Sequence, residues 1–178
     1  DNVINFYYKK DEVNAYYKVS HWLEPLTGSN WTEYGTGTQA QGKINTTQLK
    51  AEDFDLALDG YTFDVAKTEC IYGGDETRKK VVGNGSVTLP QEGLELKLYY
   101  VRNEYPYEIR HVELNTGVAL AQTETDKAKY GETVSGNAKE IAGYTYKQVN
   151  PQEGQISIRV EKSDTVKLNI ITYYYVEN

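Results

Sequence analysis

The chain reads YYVRN at Tyr99–Asn103 and YYVEN at Tyr174–Asn178, and this repeated element decides the predicted fold. A third copy, VINFYY, occupies Val3–Tyr8. Each copy contains or follows apolar residues in the pattern of a strand, so we predict that each is the closing strand of a repeated unit. On this interpretation residues 2–8 form a strand, and residues 1–10 are the closing strand of a preceding repeat or a linker.

Three further elements recur in the same order within each unit. They are YKVSH at Tyr17–His21 and YEIRH at Tyr107–His111, the Thr-Gly pairs Thr27–Gly28 and Thr116–Gly117, and GYTF at Gly60–Phe63 and GYTY at Gly143–Tyr146. A shared order of four elements predicts two repeat domains rather than one chance match. We expect a longer first domain over residues 11–103 and a compact second domain over residues 104–178.

The local patterns predict a β-rich α+β protein. The chain has 17 Tyr but only 3 Phe, and the segment Tyr17–His21 alternates apolar and polar residues as a half-buried strand does. The one helix-compatible stretch of the first domain is Thr47–Leu58, with a weaker one over residues 137–141 in the second. Gly60 and Gly143 are placed to end these segments, since glycine accepts the left-handed conformation at a helix end.

Composition argues against several classes of partner. The formal net charge is −7 with the acidic residues spread along the chain, so the sequence lacks the basic footprint that nucleic acid or an anionic membrane surface requires. No apolar run approaches the roughly 20 residues that cross a bilayer, and we expect no membrane insertion. The single cysteine, Cys70, excludes an internal disulfide framework.

The second unit carries a family resemblance on five elements. These are Asn115–Gly117, Leu120, YGETV at Tyr130–Val134, AGYT at Ala142–Thr145, and the closing aromatic strand. Together they resemble the mucin-binding-protein (MucBP-type) repeats of Gram-positive surface adhesins. The first unit keeps the opening strand, the Thr-Gly pair and the GYTF element but lacks Gly-Glu-Thr-Val, and it looks like a longer, diverged member.

The resemblance implies two tandem β-grasp, ubiquitin-like repeat domains in an elongated, extracellular arrangement. It further implies a protein held at the bacterial cell surface by cell-wall anchoring regions outside this fragment. The partners implied are a host mucin glycoprotein, another glycan or an immunoglobulin, together with neighbouring repeats of the same chain.

The chemistry-bearing residues do not assemble into a predicted active site. His21 and His111 occupy equivalent repeat positions, so a structural role is favoured over a metal pair or general base. Cys70 lies in a predicted strand and is interpreted as an inert thiol. The acidic residues Asp53, Asp55, Asp59 and Asp64 depart from the spacing of a calcium loop. We therefore expect no catalytic residue, no metal and no cofactor.

Trp22, Trp31 and Tyr34 are the candidate ligand-contact residues. They flank a segment rich in Gly and Thr in the first unit and have no counterpart in the second, which is typical of a loop-borne contact surface. The alternative is a local cluster that packs only within the protein. The tyrosine pairs of the closing strands are interpreted as structural.

Two functions remain open, a binding module and a spacer that projects a distal adhesin from the cell wall.

Overall fold

A computed structural model describes residues 3–7, 13–163 and 165–178. The described chain is β-rich, and its helical residues lie only in short 3₁₀ turns. The strands before residue 103 are β1 (Asn14–Leu23), β2 (Thr32–Glu33), β3 (Thr38–Lys43), β4 (Gln48–Lys50), β5 (Tyr61–Phe63), β6 (Glu69–Tyr72), β7 (Lys79–Val81), β8 (Ser86–Thr88) and β9 (Leu94–Arg102). Those after it are β10 (Glu104–Glu113), β11 (Glu124–Lys129), β12 (Thr133–Ser135), β13 (Tyr144–Asn150), β14 (Gln155–Ser157) and β15 (Ile170–Glu177).

The chain divides into two compact units. The first contains the described residues up to Glu24, Asn30–Leu56 and Phe63–Tyr100, and the second contains Pro25–Ser29, Ala57–Thr62 and Val101–Asn178. Two short segments from the first half of the sequence therefore belong to the second unit. Each unit is therefore made of segments that contact one another in space, and it is not one continuous stretch of sequence.

The larger of the two main sheets, which is built around β1 and β9, is seven-stranded. Its order is β2-β1-β9-β6-β7, with β3 also paired to β1 and β5 to β9. Strands β1 and β9 run parallel, with His21 opposite Leu98, while β3 and β6 pair antiparallel to these central strands. A small antiparallel pair, β4 with β8, completes the strand pairings. The first and last strands thus meet at the centre of the sheet.

The second unit has a four-stranded sheet of order β11-β10-β15-β13. Strands β10 and β15 are parallel, with His111 opposite Tyr173, and β11 and β13 pair antiparallel on either side. A separate antiparallel pair is formed by β12 and β14. The first and last strands again occupy the centre.

Alternation along the closing strands builds both cores. In β9, Leu94, Leu96, Leu98 and Tyr100 are buried while the residues between them are half-buried, as the two-residue period of a strand requires. In the second unit, Ile109, Ile171, Tyr173 and Tyr175 form the buried cluster. Tyr107, Leu120, Ile141, Tyr144, Val149 and Ile156 pack against that cluster.

A buried histidine and tyrosine are hydrogen-bonded in each sheet. His21 Nδ1 lies 3.1 Å from the hydroxyl of Tyr100, and His111 Nδ1 lies 3.0 Å from that of Tyr175. Each hydroxyl also accepts a backbone N–H, from Leu56 at 3.0 Å and from Lys139 at 2.8 Å. The two residues therefore tie the first strand, the last strand and a connecting segment together in each unit.

The second of these clusters fixes the protonation of its histidine. Because the Tyr175 hydroxyl already accepts the Lys139 N–H, its own hydrogen is directed to His111 Nδ1, which leaves the proton on Nε2. That Nε2 is buried and has no hydrogen-bond partner among the described residues, and a Glu124 oxygen is 3.7 Å away. Burial, with Lys139 as a second cause, lowers the pKa of His111 and keeps it neutral.

Two predicted local structures differ from those observed. The segment Thr47–Leu58 contains strand β4 and a single 3₁₀ turn, Ala51–Phe54, and residues 137–141 have no regular secondary structure. The helix prediction was wrong because the buried side chains of this segment, Leu49 and Ala51, pack from a strand and a tight turn rather than from one helical face.

The strand predicted over residues 2–8 is not formed in residues 3–7, and the rest of it lies outside the described residues. Val3, Ile4, Phe6 and Tyr7 are all at least 75% exposed, so the apolar pattern has no sheet to complete here. Among the described residues, no helix has the length and apolar character needed to span a membrane.

Removing the Tyr175 hydroxyl tests the role of the buried cluster. We expect Tyr175→Phe to lower the free energy of unfolding by about 1–3 kcal/mol, because the Lys139 N–H and His111 Nδ1 lose their partner inside the protein. Urea unfolding followed by circular dichroism measures this change. The control Tyr174→Phe alters the neighbouring residue on the opposite face of the strand and should change stability by no more than about 0.5 kcal/mol. Equal effects of the two variants would contradict the assigned role.

The neutral histidines also predict a pH dependence. Burial lowers the pKa of both His21 and His111 from the ordinary value of 6.5, so the unfolded chain binds more protons than the folded one below that pH. Stability is therefore complete above about pH 6.5 and falls as the pH drops through the lowered pKa values. Urea midpoints at pH 7.5 and 5.5 measure the loss. Replacing both histidines with glutamine should reduce the slope, and an unchanged slope would assign it to carboxylates instead.

Candidate functional site

Strand alternation creates a second, outward side of the first sheet. The register places Lys18, Ser20 and Trp22 of β1 beside Glu95, Lys97 and Tyr99 of β9, and it places Glu69 of β6 opposite Lys97. All of these side chains lie on the face of the sheet that points away from the buried leucines of β9. We refer to these seven residues, with Trp31, as the outer face.

Trp22 is held in a network of hydrogen bonds on the outer face. Its indole N–H donates to the Ser20 hydroxyl at 2.8 Å, and that hydroxyl donates to Glu95 at 2.6 Å. The Lys97 ammonium lies 4.1 Å from the centre of the Trp22 ring, within the range of a cation–π contact. Because both its N–H and its ring have partners in the protein, Trp22 supports the surface more than it offers itself to a ligand.

Trp31 belongs to a second aromatic group on the outer face. It precedes β2, and its ring meets that of Tyr99 edge to face, with centroids 5.0 Å apart and an interplanar angle of 77°. The Tyr99 hydroxyl donates to Glu69 at 2.6 Å. Burial, reinforced by Glu69, raises the pKa of Tyr99 well above its usual range, so the phenol remains a donor. The rings and the carboxylate are thereby held in one arrangement.

A depression of about 410 Å³ opens over this group. It is lined by Trp31, Ala66, Lys67, Glu69, Lys79, Val81 and Tyr99. The Lys79 ammonium lies 3.9 Å from Glu69, and Val81 is 69% exposed at the rim. Aromatic and apolar walls with a few convergent polar groups are the usual lining of a small-molecule site. A carboxylate acceptor and two ammonium donors beside two rings suit a polyhydroxylated ring.

Of the three predicted contact residues, Trp22 and Trp31 lie on the outer face. Tyr34 does not join them, because the register sets Glu33 opposite Trp22 and strand alternation turns the next residue to the other side. Its ring is 48% exposed, and its backbone N–H donates to the carbonyl of His21. The predicted cluster was also assigned to a loop, whereas Trp22 lies within strand β1.

The other singled-out residues have structural surroundings. His21 and His111 are buried against tyrosines, as described above. Cys70 is fully buried in β6, and burial raises the pKa of its thiol, so it has neither the access nor the thiolate of a nucleophile. Over the described part of the chain, no group of three or more His, Cys, Asp or Glu side chains is placed to hold a metal ion.

Sequence reasoning missed Tyr99, Glu69 and Lys79. The signal for Tyr99 was present, since the alternation of Leu94, Leu96 and Leu98 turns Tyr100 inward and Tyr99 outward. The tyrosine pair therefore has two separate roles, and only its second member is a core residue. Glu69 and Lys79 had no local signal, because strand pairing alone brings them to Tyr99.

The chain matches no family model and no curated protein.

The buried cysteine gives a direct test of the packing beneath this face. We expect Cys70 to resist a thiol reagent in the native protein and to react fully in denaturant, because its side chain has no exposed surface and a raised pKa. Reaction with an aromatic disulfide, followed by absorbance, measures this difference. Rapid labelling of the native protein, at the rate seen in denaturant, would contradict the placement of β6.

Proposed function

We propose that this chain belongs to an extracellular bacterial surface protein, consists of two tandem repeats of β-grasp type, and has a binding role rather than a catalytic one. The first unit binds a glycan carried by a host glycoprotein, and the second unit acts mainly as a spacer. The protein is held at the cell wall.

The sheet orders support the β-grasp part of the proposal. In each sheet the first and last strands are adjacent, central and parallel, and an antiparallel second strand pairs with the first strand. The likeness rests on strand order, because no α-helix is present among the described residues. A segment without regular secondary structure, residues 136–141, occupies the sequence position where the second unit would carry its helix.

Equivalent hydrogen bonds support the repeat. The histidine–tyrosine cluster occurs in both units with the same register, since His21 and His111 each lie opposite the residue two before their tyrosine. The backbone carbonyl of each tyrosine also accepts an N–H at the end of the first strand, from Glu24 at 2.9 Å and from Leu114 at 2.7 Å. Similar sequences alone would not require these identical contacts.

The pairing of Trp31 with Tyr99 beside Glu69 is the observation that carries the binding proposal. Sugar rings present C–H faces that pack on aromatic rings and hydroxyls that bond to carboxylates and ammonium groups. The depression offers both within one contiguous lining. Its rings and carboxylate are fixed by contacts within the protein before any ligand arrives, which lowers the entropy lost on binding.

The spacer function is favoured for the second unit by its own outward surface. The residue equivalent to Tyr99 is Tyr174, and it borders a depression of about 590 Å³ with Leu114, Gln148, Val149, Asn150 and Gln152. Both tryptophans of the chain lie in the first half of the sequence, so this surface lacks a second ring of that size. On β10, Arg110 is bonded to Glu108. Among the described residues of this surface, no carboxylate is set beside paired rings.

Substitutions at the depression test the binding proposal. Trp31→Ala and Glu69→Gln should each weaken binding to immobilised mucin by about 1–2 kcal/mol, or roughly tenfold, if they are central contacts. Surface plasmon resonance measures the affinity, and thermal unfolding of each variant verifies the fold. Tyr34→Ala is the matched control, because it removes an exposed ring on the other side of the sheet, and its affinity should remain that of the unmodified chain.

The identity of the ligand is tested on the same surface. Enzymatic removal of the glycans should abolish binding, whereas immunoglobulin should not compete at the depression. Undiminished binding to the deglycosylated protein would contradict a glycan ligand. No measurable binding by the unmodified chain would assign both units to the spacer function.

A further inference from the structure

Two glycine turns in the chain are built alike. Gly60 and Gly143 have φ angles of +83° and +81°, a conformation that favours glycine. The carbonyl of each accepts a backbone N–H, from Asn103 at 2.9 Å and from Asn178 at 3.0 Å. The threonine two residues later donates its hydroxyl to the side chain of the same asparagine in both cases. We call these the Gly60 corner (residues 60–62 with Asn103) and the Gly143 corner (residues 143–145 with Asn178).

The Gly60 corner is covered by an aromatic ring. A Cβ at Gly60 would lie 2.3 Å from the ring of Tyr130, so this glycine is required for close approach as well as for its φ angle. Tyr130 also meets Tyr61 edge to face, with centroids 5.6 Å apart. Gly60 is buried as a result.

Arg102 and the backbone hold the covering tyrosine in place. The Arg102 guanidinium donates to the carbonyl of Tyr130 at 2.8 Å and lies 5.2 Å above the Tyr61 ring. The backbone N–H of Tyr130 donates to the carbonyl of Asn103 at 2.8 Å. All these residues belong to the second compact unit. The Gly60 corner, together with Arg102, therefore binds the Tyr130-Gly131 turn through ring packing, a guanidinium and backbone hydrogen bonds.

The Gly143 corner has the same backbone, but none of the described residues covers it. Gly143 is exposed, and a Cβ added there would meet no atom within 4 Å beyond its chain neighbours. A depression of about 560 Å³ is lined by both neighbours, Ala142 and Tyr144, and by Lys139, Glu140, Ile141 and Tyr146. Tyr144 occupies the position of Tyr61, while Glu177 stands where the first corner has Arg102.

We propose that the Gly143 corner is a docking surface for a Tyr-Gly turn like Tyr130-Gly131, presented by another repeat built as residues 104–178 are. The Gly60 corner indicates what binds to the Gly143 corner, because a turn that carries Tyr130 packs on the same backbone arrangement there. The inference is independent of glycan binding and rests only on the contacts around the two glycines. Since Glu177 cannot donate to a carbonyl as Arg102 does, the second corner holds such a turn less tightly than the first.

An extended chain tests this surface. A copy of residues 104–178 is joined directly after Asn178. Asn178 of the Gly143 corner then directly precedes the copy, just as Asn103 of the Gly60 corner directly precedes residues 104–178. Direct linkage raises the effective concentration of the turn into the millimolar range, so even weak docking is populated. The exposed substitution Lys147→Arg in the original corner marks its peptides by mass, and the copy carries its own, open corner as an internal control.

Hydrogen exchange read by mass spectrometry gives the result. The marked peptides covering residues 140–149 should exchange about tenfold more slowly than the unmarked ones, which corresponds to a docking free energy of about 1.4 kcal/mol. Tyr130→Ala in the copy should abolish the difference, and Glu177→Arg in the original corner should increase it. As a positive control, Tyr130→Ala in the original sequence should speed exchange at Gly60–Phe63.

Equal exchange of marked and unmarked peptides, with and without Glu177→Arg, would overturn the proposal. A copy whose strands show no protection would also overturn it, because the corner would then fail to accept a folded repeat. Binding to mucin plays no part in either outcome, so the two proposals fail separately.

Discussion

The hydrogen bond between a histidine on the first strand and a tyrosine on the last strand organises each half of this protein. Parallel strands cannot be joined by a short turn, so the first and last strands of each sheet pair across a long stretch of intervening chain. A buried polar pair constrains that meeting, because any other register would leave the imidazole and the hydroxyl without partners in the core. The backbone N–H that each hydroxyl also accepts brings in the segment between the strands.

The register set by this pair decides the role of the neighbouring tyrosine. Once Tyr100 points inward to His21, strand alternation turns Tyr99 outward, where it meets Trp31 and donates to Glu69. The same step in the other sheet buries Tyr175 and turns Tyr174 outward, beside Gln148 rather than a tryptophan. One sequence element therefore contributes both to a core and to a surface. Differences between the two surfaces come from residues outside the repeated pattern.

The glycine corners show a related separation between construction and surroundings. Gly60 and Gly143 share a backbone conformation and an asparagine partner, yet one is buried beneath Tyr130 and the other is exposed. The exchange of Arg102 for Glu177 changes what each corner can bond, because a guanidinium donates to carbonyl groups and a carboxylate only accepts. Equivalent backbone thus offers different hydrogen-bonding groups when a single flanking charge is reversed.

The sequence by itself determined the β-rich character, the alternation of the closing strands and the structural nature of both histidines. Each follows from local periodicity or from equivalent positions in the repeated elements. It did not determine that Thr47–Leu58 avoids an α-helix, because that outcome depends on how Leu49 and Ala51 pack. Nor could it place Glu69 and Lys79 beside Tyr99, or turn Tyr34 away from Trp22. Strand pairing between distant segments decided these positions, since register is fixed by the whole sheet and a shift of one residue reverses every side chain.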